Sequence, residues 1–194
     1  MHLTRSRRAI WRFLGGISPE KRLDRAIKIA KAAGRGLKIA AKIDEGEKDY
    51  FDLEIKHLLD DSLIEFVGEI GEHEKQEFLG NAAALVFPID WPEPFGLVLI
   101  EAMACGTPVV AYPFGSVPEL IDYGKSGFLA EDIPAAVSMV KKIDEIDRAG
   151  CREVFEERFT AARMAADYVA LYTQIISEET VPLEREFSGG SETK

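Results

Sequence analysis

The chain has 194 residues, 46% of them hydrophobic and 30% charged, with a formal net charge of -10. That is enough chain for a soluble globular domain with a proper core, and the acidic balance argues against a nucleic-acid binder, which would carry a basic stripe. The two cysteines, Cys105 and Cys151, form no metal or redox spacing and fit a reducing compartment, most simply the cytosol.

The first fourteen residues are arginine-rich and free of acids, as transit peptides are, but Arg12 interrupts the apolar run and no small-residue cleavage site follows. Residues 1–9 are therefore expected to be an N-terminal extension and 10–15 the first strand. Ser18-Pro19-Glu20 places a cap residue and a first-turn proline ahead of a helix running to about Ala33, closed by Gly34 and Gly36. The alternation continues with a strand at 37–41, a helix around 49–59, a strand at 63–67, a helix at 72–82 and a buried strand at 84–87. A helix at 97–104, a strand at 108–112, a short helix near 118–122 and a strand at 127–129 follow. Three further helices are expected at 133–146, 149–157 and 160–176, with 177–194 a loose Ser/Glu/Gly-rich tail. No apolar run approaches the length that spans a membrane.

Strands separated by helices of this size imply right-handed crossovers and a parallel sheet covered by helices on both faces, an α/β Rossmann-like domain over residues 10–176. Ligands of such sheets bind beyond the carboxyl ends of the strands, which directs attention to the loops after 10–15, 63–67, 84–87 and 108–112.

The loop after the strand at 84–87 carries the most chemistry. Glu93 and Glu101 stand eight positions apart across Pro94-Phe95-Gly96-Leu97, a segment that opens into an apolar helix. Gly96 removes a side chain where backbone must approach a ligand, and the N–H groups of Gly96, Leu97 and Val98 at a helix N-terminus suit an anion. A carboxylate one turn into the helix, Glu101, is placed to accept from the vicinal hydroxyls of a ribose, while Glu93 can accept from sugar hydroxyls on the other side of the phosphates. For an isolated pair of glutamates, loop solvation and a surface helix position would explain both.

The pair is not isolated. Glu93-Pro-Phe-Gly-Leu and Glu101-Ala-Met-Ala-Cys-Gly-Thr-Pro-Val-Val-Ala, with Gly15-Gly-Ile-Ser-Pro-Glu-Lys21 upstream, and Gly115-Ser-Val-Pro-Glu119-Leu and Gly124-Lys-Ser-Gly127-Phe-Leu downstream, resemble retaining family-four glycosyltransferases of the GT-B fold, with their E-x7-E segment. The terminal Arg158-Phe-Thr and Tyr168-Val-Ala-Leu-Tyr172 resemble the closing helix of that domain, so the likeness covers roughly residues 10–175.

The resemblance implies a single GT-B C-terminal, donor-binding domain with extra C-terminal helices. It implies a reaction that moves a hexosyl group from a nucleotide-diphosphate sugar to an acceptor hydroxyl with retention. Lys21 corresponds to the lysine on the donor diphosphate, stabilising the leaving nucleotide, and Glu93 to the carboxylate beside the transferred sugar; these are the expected catalytic pair. Glu101 corresponds to the ribose carboxylate, Phe95, Gly96 and Leu97 to backbone facing sugar and phosphates, Gly68, Glu69 and Ile70 to the base loop, and Gly15 and Gly16 to the phosphate turn. No metal or other cofactor is expected, the donor being a substrate and the phosphate charge being met by a lysine–arginine pair and a helix dipole.

Two departures stand out. Gly16 occupies the place of the family's arginine, a lost charge-assisted contact worth about 1.5–3 kcal/mol, and Arg22 replaces a usual glycine, which leaves open whether it compensates. The acceptor-binding N-terminal domain of such enzymes lies outside this sequence, so the chain alone is expected to be inactive. The expected partners are a nucleotide sugar and either a separate N-terminal half or a second copy through the C-terminal helix, where Met164, Tyr168, Leu171 and Ile175 recur at helical spacing. Packing of that stripe within the domain is the plainer reading. Nucleic acid is excluded, membrane association is expected only through the absent domain, and the location is expected to be cytoplasmic. The competing function is a non-catalytic nucleotide-sugar-binding or interaction module, a truncated remnant or half of a split enzyme.

His2, His57 and His73 share no metal spacing, and Cys105 lacks the histidine that a nucleophilic thiol would need.

Overall fold

The computed structural model describes residues 10–179, so the expected extension at 1–9 and residues 180–194 of the expected tail lie outside the described residues. The chain divides after Glu157 into two compact units.

The first unit is built on six strands, β1 (Trp11–Gly16), β2 (Leu37–Lys42), β3 (Ile64–Gly68), β4 (Leu85–Phe87), β5 (Val109–Ala111) and β6 (Gly127–Leu129). They lie in the order β3-β2-β1-β4-β5-β6, every pair parallel. β4 and β5 are wholly buried, as their unbroken apolar runs require of central parallel strands. β3 lies at the edge and half-buries alternate positions: Glu65 and Val67 are exposed, and its pairing with β2 slips between Ile39 and Ala40.

Helix α1 (Leu23–Ala33) turns Leu23, Ala26, Ile27, Ile29 and Ala30 inward and ends at left-handed Gly34, whose N–H returns to the carbonyls of Ala30 and Lys31. It packs against α6 (Ile133–Lys141), which starts where Asp132 accepts from the N–H of Ala135 at 2.7 Å. Between them in sequence come the single turn α2 (Lys48–Tyr50), α3 (Glu72–Gly80), α4 (Leu97–Ala104) and the short α5 (Val117–Leu120). α7 (Arg148–Arg158) follows. The fully buried Ile17, Leu23, Ile27 and Ile39 belong to one core cluster, and Leu85, Ile89, Leu99 and Met103 are fully buried besides.

Three expected helices take another form. Pro19–Lys21 is a 3-10 turn, cut off from α1 by Arg22, which adopts a left-handed conformation at φ 51, and the Ser18 side chain caps nothing. The helix expected around 49–59 is a succession of turns from Glu45 to Leu58 with a π segment at Phe51–Ile55. There the anchors decide the winding: Ile55 is fully buried and the Phe51 ring meets Phe66 at 5.9 Å, while Leu53 faces water. The helix expected to reach 146 stops at Lys141, and a 3-10 turn at Ile143–Glu145 brings Ile143 and Ile146, three apart, into the core together.

The second unit holds α8 (Ala161–Glu179), which ends three residues beyond the expected 176. Its Met164, Tyr168, Leu171, Tyr172, Ile175 and Ile176 are exposed.

Candidate functional site

The strand order reverses between β1 and β4, and the crevice at such a switch point is where parallel sheets receive ligands. Two segments emerge side by side at the carboxyl ends of these strands: Gly15-Gly16 and the turn bearing Lys21 after β1, and the loop 88–96 after β4.

These segments meet at Glu93. Lys21 Nζ donates to Glu93 Oε2 at 2.8 Å, and Trp91 Nε1 donates to the same oxygen at 3.1 Å. The Lys21 ammonium also lies 5.2 Å from the Trp91 ring centre and 5.8 Å from that of Phe87. With 12% of its side chain exposed, the carboxylate is largely desolvated and its charge is met by a lysine that is itself 26% exposed. An incoming phosphate therefore finds a cation already positioned, and an incoming hydroxyl finds an acceptor beside it.

The loop after β5 backs this arrangement. Ser116 N–H donates to the Glu93 carbonyl at 2.9 Å and Ser116 Oγ to the Phe95 carbonyl at 2.8 Å. Gly115, at φ 61, comes so close that a Cβ would stand 2.3 Å from the Glu93 backbone N and O. Gly96 caps α4 in the left-handed region at φ 88, a conformation glycine adopts without a Cβ penalty.

A cleft of about 420 Å³ opens between Gly15-Gly16, the end of β2 at Lys42, the Glu69-Ile70 loop and the first turns of α4 at Leu97 and Glu101. The Glu101 carboxylate accepts from Lys75 at 3.3 Å, and Lys75 in turn holds Glu72 at 2.6 Å. The bond to Glu72 raises the Lys75 pKa, with Glu101 adding to it, so the ammonium stays charged between its two carboxylates.

Of the residues singled out from sequence, Gly15, Gly16, Glu69, Ile70, Leu97 and Glu101 line the cleft, and Lys21 and Glu93 form the ion pair. Gly68, at φ 79, turns the chain toward Glu69 without lining the cleft; Phe95 is exposed, and Gly96 lies buried at the cap. Sequence reading missed Lys75, Lys42, Asp44, Trp91 and Ser116. Lys75 reads as one more lysine on a polar helix face, and Trp91 as one more apolar residue in a loop. Arg22, left open above, has its guanidinium committed to Asp24 at 2.9 Å and Asp90 at 2.7 Å. Burial pushes the Asp24 carboxyl up, but hydrogen bonds from Arg22 and Lys28 outweigh it and hold the pKa at about 2.

Burial raises the Cys105 pKa, and Cys151 is pushed up to about 11 for the same reason, so neither thiol is activated. Among the described residues no cluster of His, Cys, Asp or Glu has the makings of a metal site, and no helix is long and apolar enough to cross a membrane.

A parallel 3-2-1-4-5-6 sheet with paired charges at its switch point defines a Rossmann-like domain of the kind found in GT-B glycosyltransferases. Residues 2–158 match the family described as glycosyl transferases group 1, and the chain belongs to that family. It is 28% identical over 135 residues to the N-acetyl-alpha-D-glucosaminyl L-malate synthase of Bacillus anthracis, covering 61% of this chain and 35% of that protein. Against the D-inositol 3-phosphate glycosyltransferase of Streptomyces scabiei it is 38% identical over 79 residues, 40% of this chain and 18% of the other. Among solved structures, HepE of Anabaena in complex with UDP and glucose superposes with a TM-score of 0.73 at 21% identity, over 87% of this chain and 49% of that one. A glycosyltransferase involved in avilamycin A biosynthesis gives 0.71 at 24% identity, over 87% of this chain and 52% of that one. The chain thus spans about a third of the Bacillus relative and about half of these solved chains.

Gly115→Ala should destabilise the protein by at least about 2 kcal/mol, because the added Cβ meets backbone. Gly46→Ala, where a Cβ meets nothing within 4 Å, should stay within about 0.5 kcal/mol of wild type. Urea unfolding of the two variants measures the difference.

Proposed function

We propose that this chain is the donor-binding half of a retaining glycosyltransferase, holding a nucleotide-diphosphate sugar for hexosyl transfer to an acceptor hydroxyl. The observation that carries this reading is the Lys21–Glu93 pair at the β1/β4 switch, in a fold whose neighbouring cleft holds Glu101. Lys21 and Glu93 are the proposed catalytic residues. In this reading Lys21 leaves Glu93 for the diphosphate and stabilises the negative charge that grows on the leaving nucleotide. Glu93, released, accepts from the hydroxyls of the transferred sugar, and Glu101 exchanges Lys75 for the ribose diol. The amides of Phe95, Gly96 and Leu97 face sugar and phosphates at the start of α4, whose dipole favours the anion. The Gly68–Ile70 loop lies along the base, and Gly15 and Gly16 leave room for the phosphates. No resident cofactor or metal is part of this scheme.

HepE was solved with UDP and glucose bound, which supports a nucleotide sugar as the ligand here. Family membership favours this reading over a non-catalytic module. We place the protein in the cytoplasm, in keeping with its two free thiols. By itself the chain is proposed to hold donor without transferring its sugar, the acceptor being brought by an N-terminal half.

Isothermal calorimetry with UDP, GDP and ADP and their sugar conjugates tests the reading. Saturable binding to one nucleotide family is expected, lost in Lys21→Ala and Glu101→Ala; a folded protein that binds none of them sinks the proposal. A Cβ at Gly16 would meet nothing within 4 Å, so the arginine that the family places there starts without a clash. Gly16→Arg should tighten nucleotide-sugar binding by about tenfold or more, the equivalent of one charge-assisted contact; unchanged affinity would refute the idea that this glycine weakens the site.

The exposed apolar stripe of α8 is the surface proposed to meet that N-terminal half, with a second copy of this chain as the other candidate. Light scattering of the purified chain decides between them. A monomer leaves the face to the separate half, whereas a dimer disrupted by Leu171→Glu assigns it to self-association.

A further inference from the structure

Asp90 makes three hydrogen bonds to residues outside the loop 88–96, although its carboxylate is 42% exposed. Its Oδ2 accepts from Arg22 at 2.7 Å and Arg25 at 3.1 Å, and its backbone N–H donates to the Glu20 carbonyl at 2.8 Å. Arg25 also donates to the carbonyls of Pro88 and Ile89 at 3.1 and 3.2 Å and lies 4.7 Å from the Tyr112 ring centre, which fixes its own position. Arg22 grips Asp24 through two parallel bonds of 2.9 and 3.1 Å.

Isolated surface ion pairs contribute little. This one differs because it is a network with a bidentate arginine and backbone bonds on both sides. Among the described residues, Arg22 is the only residue other than glycine with positive φ. An L-residue adopts that conformation at a cost, and here the two carboxylates hold it there. Arg22 directly follows Lys21, and Asp90 precedes Glu93 by three residues.

We infer that Asp90 is a positioning residue of the donor site: gripped by Arg22 and Arg25, it holds the loop bearing Trp91 and Glu93 against the turn bearing Lys21, and so sets where the diphosphate and the transferred sugar sit. The inference rests on the donor-binding reading above. It assigns Asp90 no contact with the ligand. Loss of the clamp frees the turn and the loop to part: the Glu93 oxygen then loses the Lys21 ammonium, and the Trp91 ring loses that ammonium from its face 5.2 Å away, which opens the indole N–H to water.

The test compares full-length wild type with Asp90→Ala and the milder Asp90→Asn, using Asp52→Ala as a control that breaks an exposed pair elsewhere. In the ligand-free protein, hydrogen exchange of the two indole N–H groups is followed by NMR. Trp91 should exchange about tenfold faster in Asp90→Ala, with the buried Trp11 unchanged and Asp52→Ala matching wild type. Calorimetry then sets UDP-glucose, GDP-mannose and ADP-glucose each against its nucleoside monophosphate. The sugar conjugate that wild type binds should weaken about tenfold in Asp90→Ala, while its monophosphate, which does not need the Lys21–Glu93 corner, holds its affinity.

An unchanged Trp91 indole overturns the inference, as does equal weakening of conjugate and monophosphate, the mark of a merely structural role. If Asp90→Ala does not fold, Asp90→Asn and Arg22→Gln are judged by the same two readouts. If wild type binds none of the nucleotides, the donor-binding reading fails, and the indole exchange alone decides whether Asp90 holds the loop.

Discussion

A carboxylate with only 12% of its side chain exposed, as Glu93 has, requires partners, because taking a charge that far out of water is costly when it is left unpaired. The chain meets that requirement from two directions and fixes the residue's backbone from a third. The turn after β1 supplies the Lys21 ammonium, the loop after β4 supplies the Trp91 indole, and the loop after β5 holds the Glu93 backbone through Ser116. Each segment leaves the carboxyl end of a strand in the middle of one sheet. The hydrogen bonding of β1 to β4 and of β4 to β5 is therefore what brings them within reach. The glycines follow from the same crowding: Gly115 is there because backbone must lie against backbone, and Gly96 because α4 starts from a left-handed residue.

The alternation of strands and helices is legible in the sequence because burial on both faces forces unbroken apolar runs such as Ala84-Leu85-Val86-Phe87, and because Gly34 ends a helix in a left-handed conformation that glycine adopts without a Cβ penalty. The site is legible to the extent that its residues are close in sequence or typical of a family. Gly15, Gly16, Glu69, Ile70, Leu97 and Glu101 do come to one cleft, while Lys21 and Glu93 join across 72 positions. What could not be read depends on tertiary contact. The winding at 45–58 obeys the anchors Phe51 and Ile55 rather than local periodicity. The break at Arg22 is imposed by carboxylates two and 68 positions away. Lys75 looks like solvated helix surface until α3 and α4 place it beside Glu101.

The groups suited to a donor are occupied with one another: Lys21 with Glu93, and Lys75 with Glu72 and Glu101. Such pairing keeps half-buried charges satisfied, and in the proposed reading each ion pair that must open for a donor subtracts from the binding free energy. Under that proposal the affinity is a difference between two well-paired states, which makes it sensitive to a single added cation near Gly16.

The edge strand β3 has a consequence of another kind. A parallel sheet that ends in a long, regular, apolar strand presents a row of unpaired backbone groups on which a strand from another molecule can add. Here the slip against β2 between Ile39 and Ala40 and the left-handed Gly68 spoil the regularity of that row, and Lys38 bridges to Glu65 at 2.6 Å across its exposed face. The irregularity that carries the chain from β3 to Glu69 and Ile70 at the cleft also makes this edge a poor template for strand addition, so one local departure from ideal pairing both shapes the cleft and guards the edge.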